Sequence, residues 1–160
     1  VPASASYVRG NVTTDITPDG TGSSVSRVEY YYGPSGSTSL VETDTGSPYS
    51  YTWDTTSGTS AGDERVVTVR IYDSAINELG AVGNYTDFTR TYTVDNTIPS
   101  VAFGAGTPAD GSYVSDEGGF PAITATASDS PSGIKNVDFR IDGTSVNIDS
   151  VSPYEGTFDL

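Results

Sequence analysis

The stretch Tyr92-Thr93-Val94-Asp95-Asn96-Thr97-Ile98-Pro99-Ser100-Val101 decides how the chain divides, because similar sequence lies on both sides of it. Ahead of it Phe88, Tyr92 and Val94 share one parity with polar residues between them, the period of two that marks a half-buried strand. Asp95 and Asn96 end that strand. Pro99 has no N–H to donate and holds Ile98 extended, so no sheet ladder is expected to run through this point. A new alternation starts at Val101 and Phe103. The stretch therefore predicts a joint, with one domain over 1–96, a Pro-containing linker over 97–100 and a second domain over 101–160.

Outward from the joint the two sides repeat. An offset of 105 residues carries Ser47-Pro48-Tyr49-Ser50-Tyr51-Thr52-Trp53-Asp54 onto Ser152-Pro153-Tyr154-Glu155-Gly156-Thr157-Phe158-Asp159. An offset of 109 carries Val28-Glu29-Tyr30-Tyr31-Tyr32-Gly33 onto Val137-Asp138-Phe139-Arg140-Ile141-Asp142, so a loop between the two blocks is shorter in the second copy. A period of roughly a hundred residues fits one β-sandwich and is far too long for a solenoid repeat.

Composition agrees with sheets. The 160 residues hold 18 Gly and 9 Pro, which punctuate short runs and leave no helical stripe of useful length. Leucine is scarce, and Val, Ile, Tyr and Thr carry the strand-forming load. Strands are expected at Tyr7–Ile16, Val25–Tyr32, Ser39–Thr43, Tyr49–Asp54, Arg65–Tyr72 and Thr86–Asp95. The second domain repeats the order at Val101–Phe103, Tyr113–Val114, Ile123–Ala127, Lys135–Ile141, Ser145–Ile148 and Glu155–Leu160. Nothing after these corresponds to Arg65–Asp95. The expected fold is all-β, two tandem antiparallel sandwiches of which the second lacks its last two strands. Val137, Phe139 and Ile141 are then left on an uncovered face or edge, which soluble proteins avoid.

These motifs resemble the immunoglobulin-like repeat modules of large bacterial and archaeal surface proteins and adhesins. Val69-Arg70-Ile71-Tyr72-Asp73-Ser74-Ala75-Ile76-Asn77 is similar to the strand end of that family, with Ile76 in place of its glycine. The linker Val94-Asp95-Asn96-Thr97-Ile98-Pro99 matches as well, as does Ala127-Ser128-Asp129-Ser130-Pro131-Ser132-Gly133-Ile134 leading into Val137-Asp138-Phe139-Arg140-Ile141-Asp142-Gly143. The resemblance implies serial spacer or stalk modules at the cell surface or outside the cell.

Chemistry-bearing residues are few. The chain has no Cys, no His, and Lys135 as its one lysine. A serine nucleophile would therefore have only carboxylates or that lysine to activate it, and no enzyme is expected. A net charge of −14 repels nucleic acid, and no run approaches the roughly 20 apolar residues of a membrane helix. Calcium is the better chemical reading, since Asp73, Asn77, Asp95, Asn96 and Asp129 could supply its oxygens at a joint, although Asx residues at strand ends also cap turns without any metal. Asn84 and Asn11 fit the N-glycosylation pattern. Lys135 beside Asn136 invites an isopeptide reading, against the ordinary one of an exposed lysine. Tyr31, Tyr51 and Trp53 would form a sugar platform if all were exposed on one face, although parity places most of the aromatics inward.

The expected function is mechanical: modules that space or polymerise an extracellular structure, with further copies of the repeat or neighbouring subunits as partners. One version treats the chain as an excerpt whose missing strands follow it. The other treats it as a subunit completed by a neighbour, with the free segment Val1–Tyr7 as a possible strand donor. The alternative function is a carbohydrate-binding or adhesive accessory module of a secreted protein.

Overall fold

The computed structural model describes residues 2–19, 24–75, 84–115 and 122–157, and every described element is a β-strand. The chain divides into two compact units, Val1–Asn96 and Thr97–Leu160.

The first unit holds β1 (Ser6–Val8), β2 (Asn11–Ile16), β3 (Val25–Gly33), β4 (Ser39–Asp44), β5 (Tyr49–Asp54), β6 (Glu64–Asp73) and β7 (Tyr85–Val94). Five form one sheet in the order β1-β7-β6-β3-β4, and β2 pairs with β5 in a second. Alternation decides which side chains meet between the sheets. Val28 and Tyr30 of β3, Val67 and Val69 of β6 and Tyr92 and Val94 of β7 are buried together with Val12 and Trp53 of the smaller sheet. The Trp53 ring lies 4.8 Å from that of Tyr32 and 6.0 Å from that of Tyr92, and Tyr30 lies 5.7 Å from Tyr51. Phe88, which shares the inward parity of β7, is half exposed.

The first strand differs from its sequence reading. Tyr7–Ile16 is not continuous, because Gly10 adopts φ +63° and turns the chain from one sheet to the other. β1 pairs in parallel with β7, Val8 opposite Val94, whereas β2 pairs antiparallel with β5, Val12 opposite Trp53. The segment before β1 is likewise not free to serve as a donor strand. Ala5 N–H donates to the Thr91 carbonyl at 2.6 Å, the Tyr92 hydroxyl donates to the Pro2 carbonyl at 3.3 Å, and the Arg90 guanidinium binds the same carbonyl. Residues 2–8 thus close the edge of β7 within their own domain.

The second unit holds β8 (Ser100–Phe103), β9 (Ala122–Ser128), β10 (Val137–Ile141), β11 (Thr144–Asp149) and β12 (Tyr154–Thr157). They form a three-stranded sheet, β12-β9-β8, and a two-stranded ladder, β10-β11. β8 starts at Ser100, so the extended linker ends at Pro99. Tyr113 and Val114 form no strand, and Tyr113 is fully exposed. The core is small: Ala125, Phe139 and Tyr154 are buried, with Ile123, Ala127, Ile134 and Val137 packed around them.

The repeat extends to single hydrogen bonds. Asp44 Oδ2 accepts the Ser50 N–H at 3.1 Å, and 105 residues later Asp149 Oδ2 accepts the Glu155 N–H at 2.9 Å. Each carboxylate ties the end of one strand to the start of the next. The Ser47–Pro48 and Ser152–Pro153 peptide bonds between them are both cis.

Candidate functional site

β3 and β10 occupy equivalent places, yet their edges differ. β3 pairs with β4 on one side and β6 on the other, with Val28 opposite Ile71, Tyr30 opposite Val69 and Tyr32 opposite Val67. β10 pairs with β11 alone, and among the described residues no strand lies along its second edge. Beside that edge Val137, Phe139 and Ile141 line, with Val101, Phe103 and Ile123, an apolar cleft of about 280 Å³. In the first domain Val67, Val69, Tyr92 and Val94 supply the corresponding inward layer.

Exposure within the cleft is uneven. Phe139 is 7 % exposed, because its ring lies against Gly156, and Val137 and Ile141 are half-buried. The open apolar surface is carried by β8, where Val101 is 69 % and Phe103 78 % exposed. Sequence reading placed the uncovered face on β10 and did not single out β8. The alternation of Val101 and Phe103 was the available signal.

The acidic residues proposed for calcium do not converge. Antiparallel β6 and β7 place Asp73 and Asp95 at opposite ends of one sheet, roughly 30 Å apart along ten-residue strands. Asp73 Oδ2 accepts from Asn84 Nδ2 at 3.0 Å, and its Oδ1 accepts the Ala75 N–H. Asn96 Oδ1 accepts from Thr55 Oγ1 at 2.9 Å and from the Gly10 N–H, and its Nδ2 donates to the Thr55 carbonyl at 2.8 Å. Asp95 is buried beside β1, its N–H donating to the Val8 carbonyl. Asp129 belongs to the second unit and accepts from Ser132 Oγ. Asn77 lies outside the described residues. Among the described residues no three acidic groups gather as a metal site.

The remaining candidates are dispersed. Asn11 opens β2 and is exposed, Asn84 is exposed just before β7, and Lys135 is exposed ahead of β10. Trp53 is 2 % exposed and Tyr51 faces Tyr30, so the proposed platform of Tyr31, Tyr51 and Trp53 does not form.

A different polar array covers the outward side of β3, β6 and β7. Arg27 stands 3.6 Å over the Tyr72 ring, Tyr72 lies 5.6 Å from Tyr85, and Arg70 stands 4.1 Å over Tyr85. Arg70 binds Asp87 through two hydrogen bonds of 2.7 and 2.8 Å, while Glu29 accepts from Arg27 and from the Tyr31 hydroxyl. The Arg70 guanidinium holds the Asp87 carboxyl below its ordinary range. Sequence reading missed this array because its pairs form across strands, at a register that the sequence does not print.

A family model described as "Bacterial Ig domain" matches residues 1–107 and again residues 99–160. The chain belongs to the bacterial Ig domain family. Among solved structures it is similar to one described as "Structures of Clostridium thermocellum CbhA fibronectin(III)-like modules". That match has a TM-score of 0.60 and 25% identity, and it covers 99% of this chain and 75% of the other. A search of curated proteins finds no match. The two bacterial Ig matches meet over residues 99–107, the segment that carries β8. Immunoglobulin-like and fibronectin(III)-like domains are generally non-catalytic, and in bacteria they commonly stand outside the cell or at its surface.

Proposed function

We propose that the chain is a structural, non-catalytic repeat module of an extracellular stalk, fibre or adhesin, spacing or polymerising that structure through bacterial Ig domains. The observation that carries this reading is the repeated build itself. β3 and β5 of the first domain recur as β10 and β12 of the second, down to the paired contacts Asp44–Ser50 and Asp149–Glu155. Serial copies of a small sandwich set a length, and the −14 charge keeps a crowded array soluble. Protease shaving of intact cells that make this protein tests the reading. Peptides of the chain are expected in the shaved fraction, and peptides appearing only after lysis would contradict a surface role.

The outward array favours a second reading, adhesion to a neutral glycan. Tyr85 is 55 % exposed and offers the side of its ring that Arg70 leaves uncovered to sugar C–H groups, while the Asp87 carboxylate beside it can accept hydroxyl hydrogen bonds. Both guanidiniums are already held by carboxylates, which leaves no cation for an acidic sugar. Titration with cellohexaose, followed by the NMR signals of the Tyr85 ring, tests this. No shift at millimolar sugar would exclude a cello-oligosaccharide site at this array.

A further inference from the structure

We infer that β4, the outer strand of the five-stranded sheet in the first domain, takes an extended basic segment of another protein, added as a strand with its lysine or arginine side chains against Glu42 and Asp44.

β4 closes the order β1-β7-β6-β3-β4 and pairs with β3 alone among the described strands. Leu40 is 52 % exposed and Val41 is exposed beside it, where the register shifts. Such an edge offers a row of backbone donors and acceptors to a further strand. Its carboxylates decide which strand. Glu42 stands opposite Tyr30 and Asp44 opposite Val28, so both acids turn to the side of the sheet on which those two residues are buried. Asp15 of β2 adds a third charge nearby, because it pairs with Ser50, whose N–H donates to Asp44 Oδ2 at 3.1 Å.

Ion pairing separates these three acids from others of the domain. Arg27 holds Glu29, Arg65 holds Asp63 and Arg70 holds Asp87. Among the described residues no arginine or lysine pairs with Asp15, Glu42 or Asp44. An unused hydroxyl lies among them. Tyr30 is fully buried and its hydroxyl has no hydrogen-bond partner among the described residues. Burial first, and then the charges of Asp44, Asp15 and Glu42, push its pKa up, so it stays neutral. A guanidinium or ammonium carried in on a strand supplies what this place lacks, a positive charge and N–H donors.

The same carboxylates say what does not dock. Charges on an edge strand guard a sheet against pairing with copies of itself. A second copy of this chain brings a net charge of −14 and the same acids to the edge. The partner is therefore a basic chain, for which the guard becomes the attraction.

The test titrates the 160-residue chain with the peptide acetyl-Val-Lys-Val-Lys-Val-Lys-Val-amide, whose alternation puts every lysine on one face of a strand. NMR signals of the Ser39–Asp44 amides and of the Tyr30 and Tyr51 rings are followed, together with amide exchange. The expected result is shifts centred on β4, with slower exchange there. Glu42→Gln combined with Asp44→Asn, in which the amide oxygen can still accept the Ser50 N–H, should weaken binding by about tenfold or more. Glu42→Gln alone, at an exposed position, should weaken it in the same direction. Unchanged Val67 and Val69 signals serve as the folding control. The same peptide methylated at every backbone nitrogen keeps its charge, cannot add as a strand and should not bind. The inference is overturned if the methylated peptide binds as well, which would leave bulk charge as the cause. It is also overturned if Glu42→Gln binds undiminished, or if the shifts centre elsewhere than β4. Protection of β4 amides at rising protein concentration without peptide would make a second copy the occupant and overturn it too.

Discussion

The ring of Phe139 lies directly over Gly156, so that a Cβ added at position 156 would stand 2.8 Å from Phe139 Cγ. In the first domain the matching pair is Tyr30 and Tyr51, two rings 5.7 Å apart. One ring over a bare backbone replaces two rings, which thins the second core. Gly156→Ala forces the base of the Phe139 ring to move, and it is expected to cost the second domain about 1–3 kcal/mol, as overpacking does. Denaturant unfolding followed by circular dichroism checks this, with Trp53 fluorescence reporting the first domain unchanged.

Trp53 is the one tryptophan and the centre of the first core, between Tyr32 and Tyr92. Trp53→Ala is expected to cost about 3–5 kcal/mol, the loss of a large buried ring together with the cavity left behind. A cost below about 1 kcal/mol in urea titration would mean that the ring is not packed as described.

Asn96 spends its side chain on Gly10 and Thr55 at the end of the first domain. Thr55 is fully buried, so Asn96→Ala strands polar groups there and is expected to destabilise the domain by about 1–3 kcal/mol. Because the amide is already engaged, EDTA is expected to leave the melting temperature of the first domain unchanged. A fall with chelator, reversed by calcium, would support the metal reading.

Acid should weaken both domains. The Asp87 carboxyl is held low by its hydrogen bonds from Arg70, and the Asp149 carboxyl by the backbone N–H groups of Glu155 and Val151. A folded-state pKa below the unfolded one contributes stability that is complete above the unfolded value and is lost as pH falls through the folded one. Stability should therefore decline below about pH 4, the ordinary carboxylate range. Asp87→Asn and Asp149→Asn should each flatten that decline, in the first and second domain respectively. Denaturant midpoints between pH 2.5 and 7 read the slope, and a variant with the parent slope would contradict its assignment.

Much of the fold was legible because period-two patterning and a long repeat are both written in residue order. Val28 and Tyr30 alternate with Arg27, Glu29 and Tyr31, and Val67 and Val69 with Val66, Thr68 and Arg70, and the deepest burial falls on the first set of each strand. Contacts set by register were not legible. That Arg70 meets Asp87 and Tyr85, or that Pro2 anchors Arg90 and Tyr92, depends on how distant strands slide past one another. Gly10 looked like a glycine within a strand, whereas its positive φ makes it the point where the chain changes sheets. The candidate face was partly legible: the lack of any counterpart to Arg65–Asp95 pointed to β10, but how exposure is shared between β10 and β8 depends on Phe139 settling over Gly156.

The most direct single measurement is amide hydrogen exchange along β3 and β10 in the unmodified chain. Alternate amides of an antiparallel strand point to opposite neighbours. β3, paired on both edges, should be protected at successive residues, and β10 should alternate, slow toward β11 and fast along its open edge. Continuous protection through Val137–Ile141 at low protein concentration would contradict the pairing of β10 with β11 alone among the described strands.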